Sequence, residues 1–298
     1  MAFLPSYGPS MPLNEPAFPE LRLDAWRLAL RPDLGGCVAG LWWHGHPVLR
    51  STEPAALAEA RRAASYPLVP YSNRIAEGRL PWQGRLHRLR LNVAGSPHPM
   101  HGVGFQRAWT VAHHAADTVD LVLTHQPDAD WPFAFEARQR IVLSPGAVRF
   151  ELSATHRGPD TAPMGLGWHP FFLRRPGSRL RAAVTGRWEM DERKLPSEHR
   201  PCAALDAAVD ALDLDHCHTG WCGEAFLHDE TFDLRLSAST RHLVVFTPPS
   251  RPDYAVEPVS HANNAFHRDD PLAHGLVALA EGDTASAWMQ IDLLDARP

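Results

Sequence analysis

The sequence predicts an all-β fold, a large antiparallel β-sandwich with few short helices. Three observations carry this expectation. Several segments alternate apolar and polar residues with period two, which puts every second side chain on a buried face. Twenty-eight prolines and 20 glycines are spread along the chain and cut it into short segments. Helix signals are too few to supply the helix that a parallel sheet needs between consecutive strands.

Taken in chain order, the first element is the exception. "STEPAALAEARRAAS" (Ser51 to Ser65) is Ala-rich, with a cap candidate and an early proline, and reads as a helix. "VDLVLTH" buries Val119, Leu121 and Leu123. "RQRIVL" and "AVRFELSAT" flank Ser144-Pro145-Gly146 and read as a hairpin that buries Val148, Phe150 and Leu152. "LDAAVDALD" is a second short helix candidate. "TFDLRLSA" alternates through Phe232, Leu234 and Leu236, and "ASAWMQIDLL" through Ala287, Met289, Ile291 and Leu293. No internal repeat and no shift in composition marks a boundary, so residues 1–298 are expected to form one domain.

Composition narrows the partners. A hydrophobic fraction of 44% and a charged fraction of 21% support a sizeable core. The net charge of −5 and the absence of any Lys/Arg run argue against nucleic acid or anionic lipid. "MAFLPSYGPSMPLNEP" has neither a basic start nor a continuous apolar stretch, and no segment approaches the ~18 apolar residues of a membrane span. Cys37, Cys202, Cys217 and Cys222 lack any CxxC spacing and read as free thiols of a reducing compartment. A soluble, cytoplasmic protein, monomer or homodimer, is expected.

Five places break the strand pattern. Asn73 and Arg74 follow a proline-bounded apolar stretch, as a turn with a solvated arginine or as a site. His98 and His101 share a Pro/Gly loop, but H-x-x-H without an acidic partner at fixed offset is not a zinc signature. His169 lies in "MGLGWHPFFL", either a core histidine or a catalytic imidazole in an apolar cleft. "ALDLDHCHTGWCGEAF" gathers Asp213, Asp215, His216, Cys217, His218 and Cys222, although no second cysteine pair completes a tetrahedral metal set. Glu257 stands between Val256 and Pro258, where a half-buried strand favours an apolar residue.

The order of these anchors is more specific than any one of them. P-Y-S-N-R-I-x-x-G, M-H-G, G-W-H-P-F-F, L-D-H-C-H-T-G-W and E-P-V-S-x-x-x-N-A-F run from about Pro70 to Phe266. The series resembles the aldose 1-epimerase (galactose mutarotase) family. The resemblance implies the galactose mutarotase-like supersandwich, a small sugar substrate, and no metal or other cofactor. By position it implies His169 as general acid and Glu257 as general base. Asn73, Arg74, His101 and Asp215 are implied to bind substrate.

The reaction suits those residue types. Interconverting α- and β-anomers needs one base for the C1 hydroxyl and one acid for the ring oxygen. The two side chains are therefore expected within roughly 5–8 Å, with His169 protonated and Glu257 ionised at the start. Trp168 or Trp221 is expected to offer an aromatic surface to the sugar. Two alternatives remain. One is a hexose-6-phosphate 1-epimerase, with Arg107 or Arg174 and Arg175 recruited for the phosphate. The other is a non-catalytic carbohydrate-binding or sensor protein on the same fold.

Overall fold

The structure is a computed structural model and describes residues 18–297; the N-terminal stretch read above as lacking a leader lies outside them. It is built on two large antiparallel sheets. The nine-stranded sheet runs from Leu205–Ala208 at one edge to Thr110–His114 at the other. The eight-stranded sheet holds Asp215–Thr219, His242–Phe246, Asp253–Val259 and Gly167–Trp168 as successive neighbours, and Phe171–Leu173 also pairs with Asp253–Val259. One apolar cluster draws Val245, Tyr254 and Val256 from this sheet and Phe150, Leu236 and Met289 from the other. The core thus lies between the sheets.

The alternating segments become strands with the expected inward faces. Phe135–Ser144 and Ala147–His156 form the hairpin, with Ser144 opposite Ala147. Pro145 and Gly146 are its two-residue loop, and Gly146 has φ +71°, a left-handed conformation that glycine adopts without a Cβ clash. Val119, Leu121, Val148, Phe150, Leu236 and Ile291 are fully buried, whereas Leu293 is only partly so.

Both helix expectations fail. Residues 51–65 contain two 3-10 turns, Pro54–Ala56 and Ala60–Arg62. "LDAAVDALD" becomes the strand Leu205–Ala208 and the 3-10 turn Val209–Ala211. Alanine content is a weak prior that tertiary contacts override. Leu57, Ala60 and Ala63 are buried in a second apolar cluster with Tyr66, Phe171, Val244 and Ala255, which fixes the segment against the sheet. Leu180 and Ala182 pair with Ala207 and Leu205 and so recruit the second segment as a sheet edge. Among the described residues no helix is long and apolar enough to cross a membrane.

Period two explains how a strand carries an acid inward. In Asp253–Val259 every residue is buried, because one face meets the inter-sheet core and the other the second cluster. Tyr254 and Val256 point to the core; Ala255 and Val259 join the second cluster. Glu257 shares their face, directly opposite Val244 on the neighbouring strand. Pro258 lies within this strand and occupies the register position opposite Leu243.

Candidate active site

Above that face of the eight-stranded sheet is a cleft of about 640 Å³, within the usual range for a small-molecule site. Asn73, Arg74, His101, His169, Asp215 and Glu257, dispersed over 185 positions of sequence, all line it. Glu257 and Asp253 come from one strand and Asp215 from the edge of another. His169 follows Gly167–Trp168, and its N–H donates to the Tyr66 carbonyl at 3.0 Å.

The other two come from a clamp between loops. The Asn73 N–H donates to His101 Nδ1 at 3.1 Å, and the His101 N–H donates to the Asn73 carbonyl at 2.9 Å. Both residues have positive φ, 56° and 63°, which costs about 1–3 kcal/mol each in a non-glycine residue and is held by surrounding contacts. Gly102 next to them has φ +69°, and a Cβ there would sit 2.3 Å from the Val69 carbonyl oxygen. Because Nδ1 is an acceptor, His101 carries its proton on Nε2 when neutral. Burial pushes its pKa down to about 3, with Arg74 and Arg61 adding to the effect. His101 is therefore a neutral hydrogen-bond donor.

His169 Nε2 and Glu257 Oε1 lie 3.3 Å apart, closer than the 5–8 Å expected from sequence. Both hang over one small region, and no side chain intervenes. Burial raises the Glu257 pKa well above the ordinary carboxylate range, helped by Asp215 and opposed by Arg74. Burial also drives His169 well below its ordinary value, with His101, Arg50, Arg251 and Arg61 acting in the same direction. Desolvation thus pushes both groups toward their uncharged forms, against the ion pair that the cycle needs at its start. A carboxylic acid beside a neutral imidazole holds the same number of protons as a carboxylate beside an imidazolium. Passage of one proton across the 3.3 Å contact interconverts the two forms without exchange with solvent. Glu257 Oε2 and His169 Nδ1 are both buried without a hydrogen-bond partner, at a cost of roughly 1–3 kcal/mol each. Such unsatisfied atoms are characteristic of functional sites.

Asp215 faces Arg74 at 3.9 Å, and Arg74 also donates to Asn73 Oδ1 at 3.2 Å. The aromatic lining differs from expectation. Trp168 and Trp221 are buried in the core, and Tyr66, Phe171 and Phe246 line the cleft instead. His169 stacks on Phe171 with ring centroids 4.3 Å apart and lies 4.8 Å from Tyr66. Arg50, Arg61, Arg62, Arg251, Glu59 and Asp253 were also missed. Tyr66 and Phe171 flank anchors that the motif series contains, so proximity was an available signal. Arg50 and Arg61 lie in a segment whose turns only the fold defines.

Other candidates are engaged elsewhere. Arg107 pairs with Asp128 at 2.7 Å and with Asp130. Arg174 donates to the carbonyls of Val209 and Pro248, and Arg175 to Asp229. None of the three lines the cleft, so none is placed to receive a phosphate there. In the 211–226 cluster His216 meets Glu189 at 3.4 Å and His218 meets the Leu243 carbonyl at 3.3 Å. Among the described residues no three metal-ligating side chains converge. His98 is structural: its Nδ1 accepts from the Glu77 N–H, and its Nε2 reaches the Arg193 carbonyl.

The polar stretch after Glu257 supports the site from behind. His261 Nε2 accepts from the Ser72 N–H at 3.0 Å, its Nδ1 donates to the Ala262 carbonyl, and Asn264 Oδ1 accepts from the Ala76 N–H. These bonds hold the loop that carries Asn73 and Arg74. His261→Ala leaves the buried Ser72 N–H unpaired and opens a cavity. We expect a stability loss of about 2–4 kcal/mol in urea unfolding. A variant within 0.5 kcal/mol of the parent would argue that the loop holds itself.

The family model for aldose 1-epimerase matches residues 21–292. The chain belongs to the aldose 1-epimerase family. An Escherichia coli K12 relative, the uncharacterized protein YphB, is 30% identical over 278 residues, covering 87% of this chain and 93% of that one. The crystal structure of an Escherichia coli K12 protein provisionally named an aldose 1-epimerase superposes with a TM-score of 0.85 at 27% identity, over 94% of this chain and 99% of that one. A galactose 1-epimerase from Lactobacillus acidophilus NCFM gives 0.76 at 15% identity, over 93% and 94% of the two chains, a likeness of fold. The all-β sandwich expected from the strand pattern is therefore the galactose mutarotase-like fold, and the family assignment agrees with the motif series.

Several buried histidines are expected to make the fold less stable in acid. Burial holds His101 near 3, and His218 and His261 each near 4, against an ordinary value of 6.5. The unfolded chain therefore binds more protons than the folded one below about pH 6.5, and stability falls with falling pH. Between pH 7 and 5 each histidine costs about 2 kcal/mol. Glu257, with its raised pKa, works in the opposite direction and offsets part of this. Thermal unfolding at constant ionic strength is expected to show a midpoint that drops from pH 7 to 5; a flat profile contradicts the assignment.

Proposed function

We propose that this chain is an aldose 1-epimerase acting on a small sugar, with Glu257 as general base and His169 as general acid. The observation that carries the proposal is the 3.3 Å contact between His169 Nε2 and Glu257 Oε1 on the floor of a polar cleft. Each group has a second polar atom left unpartnered. A base and an acid at that separation reach the C1 hydroxyl and the ring oxygen together, since both oxygens hang on one carbon. The base removes the hydroxyl proton, the C1–O5 bond breaks, and the acid protonates O5. Rotation about C1–C2 and the reverse steps give the other anomer.

Entry into the cycle requires the ion-pair form, reached when the proton of Glu257 passes to His169. Sugar hydroxyls that donate to the carboxylate favour this form. His101 Nε2–H and Arg74 are donors for the remaining hydroxyls, and Asp215 accepts from them. Tyr66 and Phe246 offer apolar surface to the C–H side of the ring. Residues 1–298 act as one unit in this reading.

Freshly dissolved single anomers of galactose, glucose, arabinose and xylose, followed by polarimetry or NMR exchange, test it. Acceleration over the spontaneous rate, proportional to protein concentration, is expected for at least one sugar. No acceleration with any of them, nor with a sugar bearing a charged substituent, sinks the proposal and favours a binding-only protein.

A further inference from the structure

The cleft is electrically lopsided. Glu257 has Asp215 and Arg74 as its charged neighbours, whereas the charges that press on His169 are Arg50, Arg251 and Arg61. Arg50, Arg61 and Arg251 line the same cleft as His169. The acids of the lining are already engaged. Asp253 serves both Arg50 at 3.2 Å and Arg251 at 2.7 Å, Glu59 meets Arg62 at 3.8 Å, and Asp215 meets Arg74. None of them pairs with Arg61. Three positive charges therefore face one buried carboxylate.

The donors differ in what they have left. Arg50 is largely spent: Nε and Nη2 donate to the Ala63 carbonyl, Nη2 also to that of Arg61, and Nη1 to Asp253. It contributes mainly field. Burial is the main cause that holds its pKa below the ordinary guanidinium range. Arg251 uses Nε and Nη2 on Asp253, and its Nη1 makes no hydrogen bond among the described residues. Arg61 is exposed on the Ala60–Arg62 turn, and its side-chain donors are likewise unengaged there.

Distance from the chemistry is set by one aromatic ring. His169 stacks on Phe171 at 4.3 Å between centroids, and the Arg50 guanidinium caps the same ring at 3.6 Å. Two groups that close to the centroid occupy opposite faces. The Arg251 guanidinium lies 5.4 Å from the same ring centroid, so the positive groups gather around the aromatic ring on which His169 stacks.

We propose that this end of the cleft binds an anionic substituent of the sugar, a phosphate or a carboxylate, with Arg61 and Arg251 as its direct donors. Forked guanidinium donors match the paired oxygens of either group. A neutral aldose leaves the surplus charge unanswered, whereas an anion at this position neutralises it. The inference rests on the mutarotase reading for the sugar, but its test is independent of turnover.

Equilibrium binding of glucose, glucose 6-phosphate, glucuronate and inorganic phosphate to the Glu257→Gln protein separates the possibilities, with Arg61→Gln added in the same background. Arg61 sits on an exposed turn, so folding should survive; thermal unfolding verifies this. The charged sugars are expected to bind at least 10-fold more tightly than glucose, in a salt-sensitive manner. Arg61→Gln should reduce that preference roughly 10- to 100-fold. The tighter of the two charged sugars identifies the group. Equal affinity for glucose and both charged sugars overturns the inference. Inorganic phosphate binding as tightly as glucose 6-phosphate also overturns it, as an adventitious ion only. Mutarotation assays on the parent protein judge the catalytic reading separately: a charged-sugar preference in binding with no acceleration of any anomer leaves the subsite standing and removes the mutarotase.

Discussion

Glu257→Gln is expected to slow anomer interconversion by about 10³-fold while leaving the protein folded and able to bind sugar. General acid–base catalysis by a positioned group contributes roughly 10²–10⁴-fold, and glutamine keeps the shape while losing the proton acceptor. Stability should not suffer. The Glu257 side chain is 3% exposed, and burial already favours its uncharged form, which glutamine mimics. Urea unfolding should therefore give a stability at least equal to that of the parent at pH 7. Sugar binding by the inactive variant completes the test. Near-normal mutarotation would sink the assignment of Glu257 as base, and lost folding would show that the carboxyl group has a structural role instead.

The second large effect is expected of His169→Asn, a fall in kcat of about 10²- to 10³-fold. This variant also disturbs packing, since the imidazole fills the space between Phe171 and Tyr66. A stability loss of about 1–3 kcal/mol is expected from the missing ring volume. Activity must therefore be measured at a temperature where the variant is folded. The diagnostic readout is the pH–rate profile. The ion-pair form supplies the proton for the ring oxygen, so loss of that proton at high pH should give the parent an alkaline limb. The variant should lack it. A profile whose alkaline limb is unchanged in His169→Asn would exclude the imidazole as the acid.

Much of this was legible in the sequence, for reasons that differ from residue to residue. Strand faces were readable because period two is a local property: Val148, Phe150 and Leu152 needed only their neighbours. The Ser51–Ser65 helix was misread because alanine content is also local, and the segment is instead bent into two 3-10 turns by burial of Leu57, Ala60 and Ala63. Glu257 was conspicuous as a charge in an apolar strand. Arg61 was not conspicuous, since an exposed arginine is ordinary until a cleft is built around it. The aromatic platform was misassigned for a related reason. Trp168 adjoins His169 in sequence, but alternation along the chain sends it to the core, and Phe171 turns back under the imidazole.

The sequence by itself determined the strand grammar, the absence of a basic stripe, and the ordered anchors that mark the family. Each is a property of residue type and spacing. Only the tertiary structure decided that His169 and Glu257 touch at 3.3 Å, that burial pushes both toward their uncharged forms, and that Arg50 and Arg251 share the Asp253 carboxylate while Arg61 has no acidic partner among the described residues. Those facts depend on desolvation and through-space distance between residues as far apart in the chain as Arg50 and Asp253. Spacing along a sequence encodes neither.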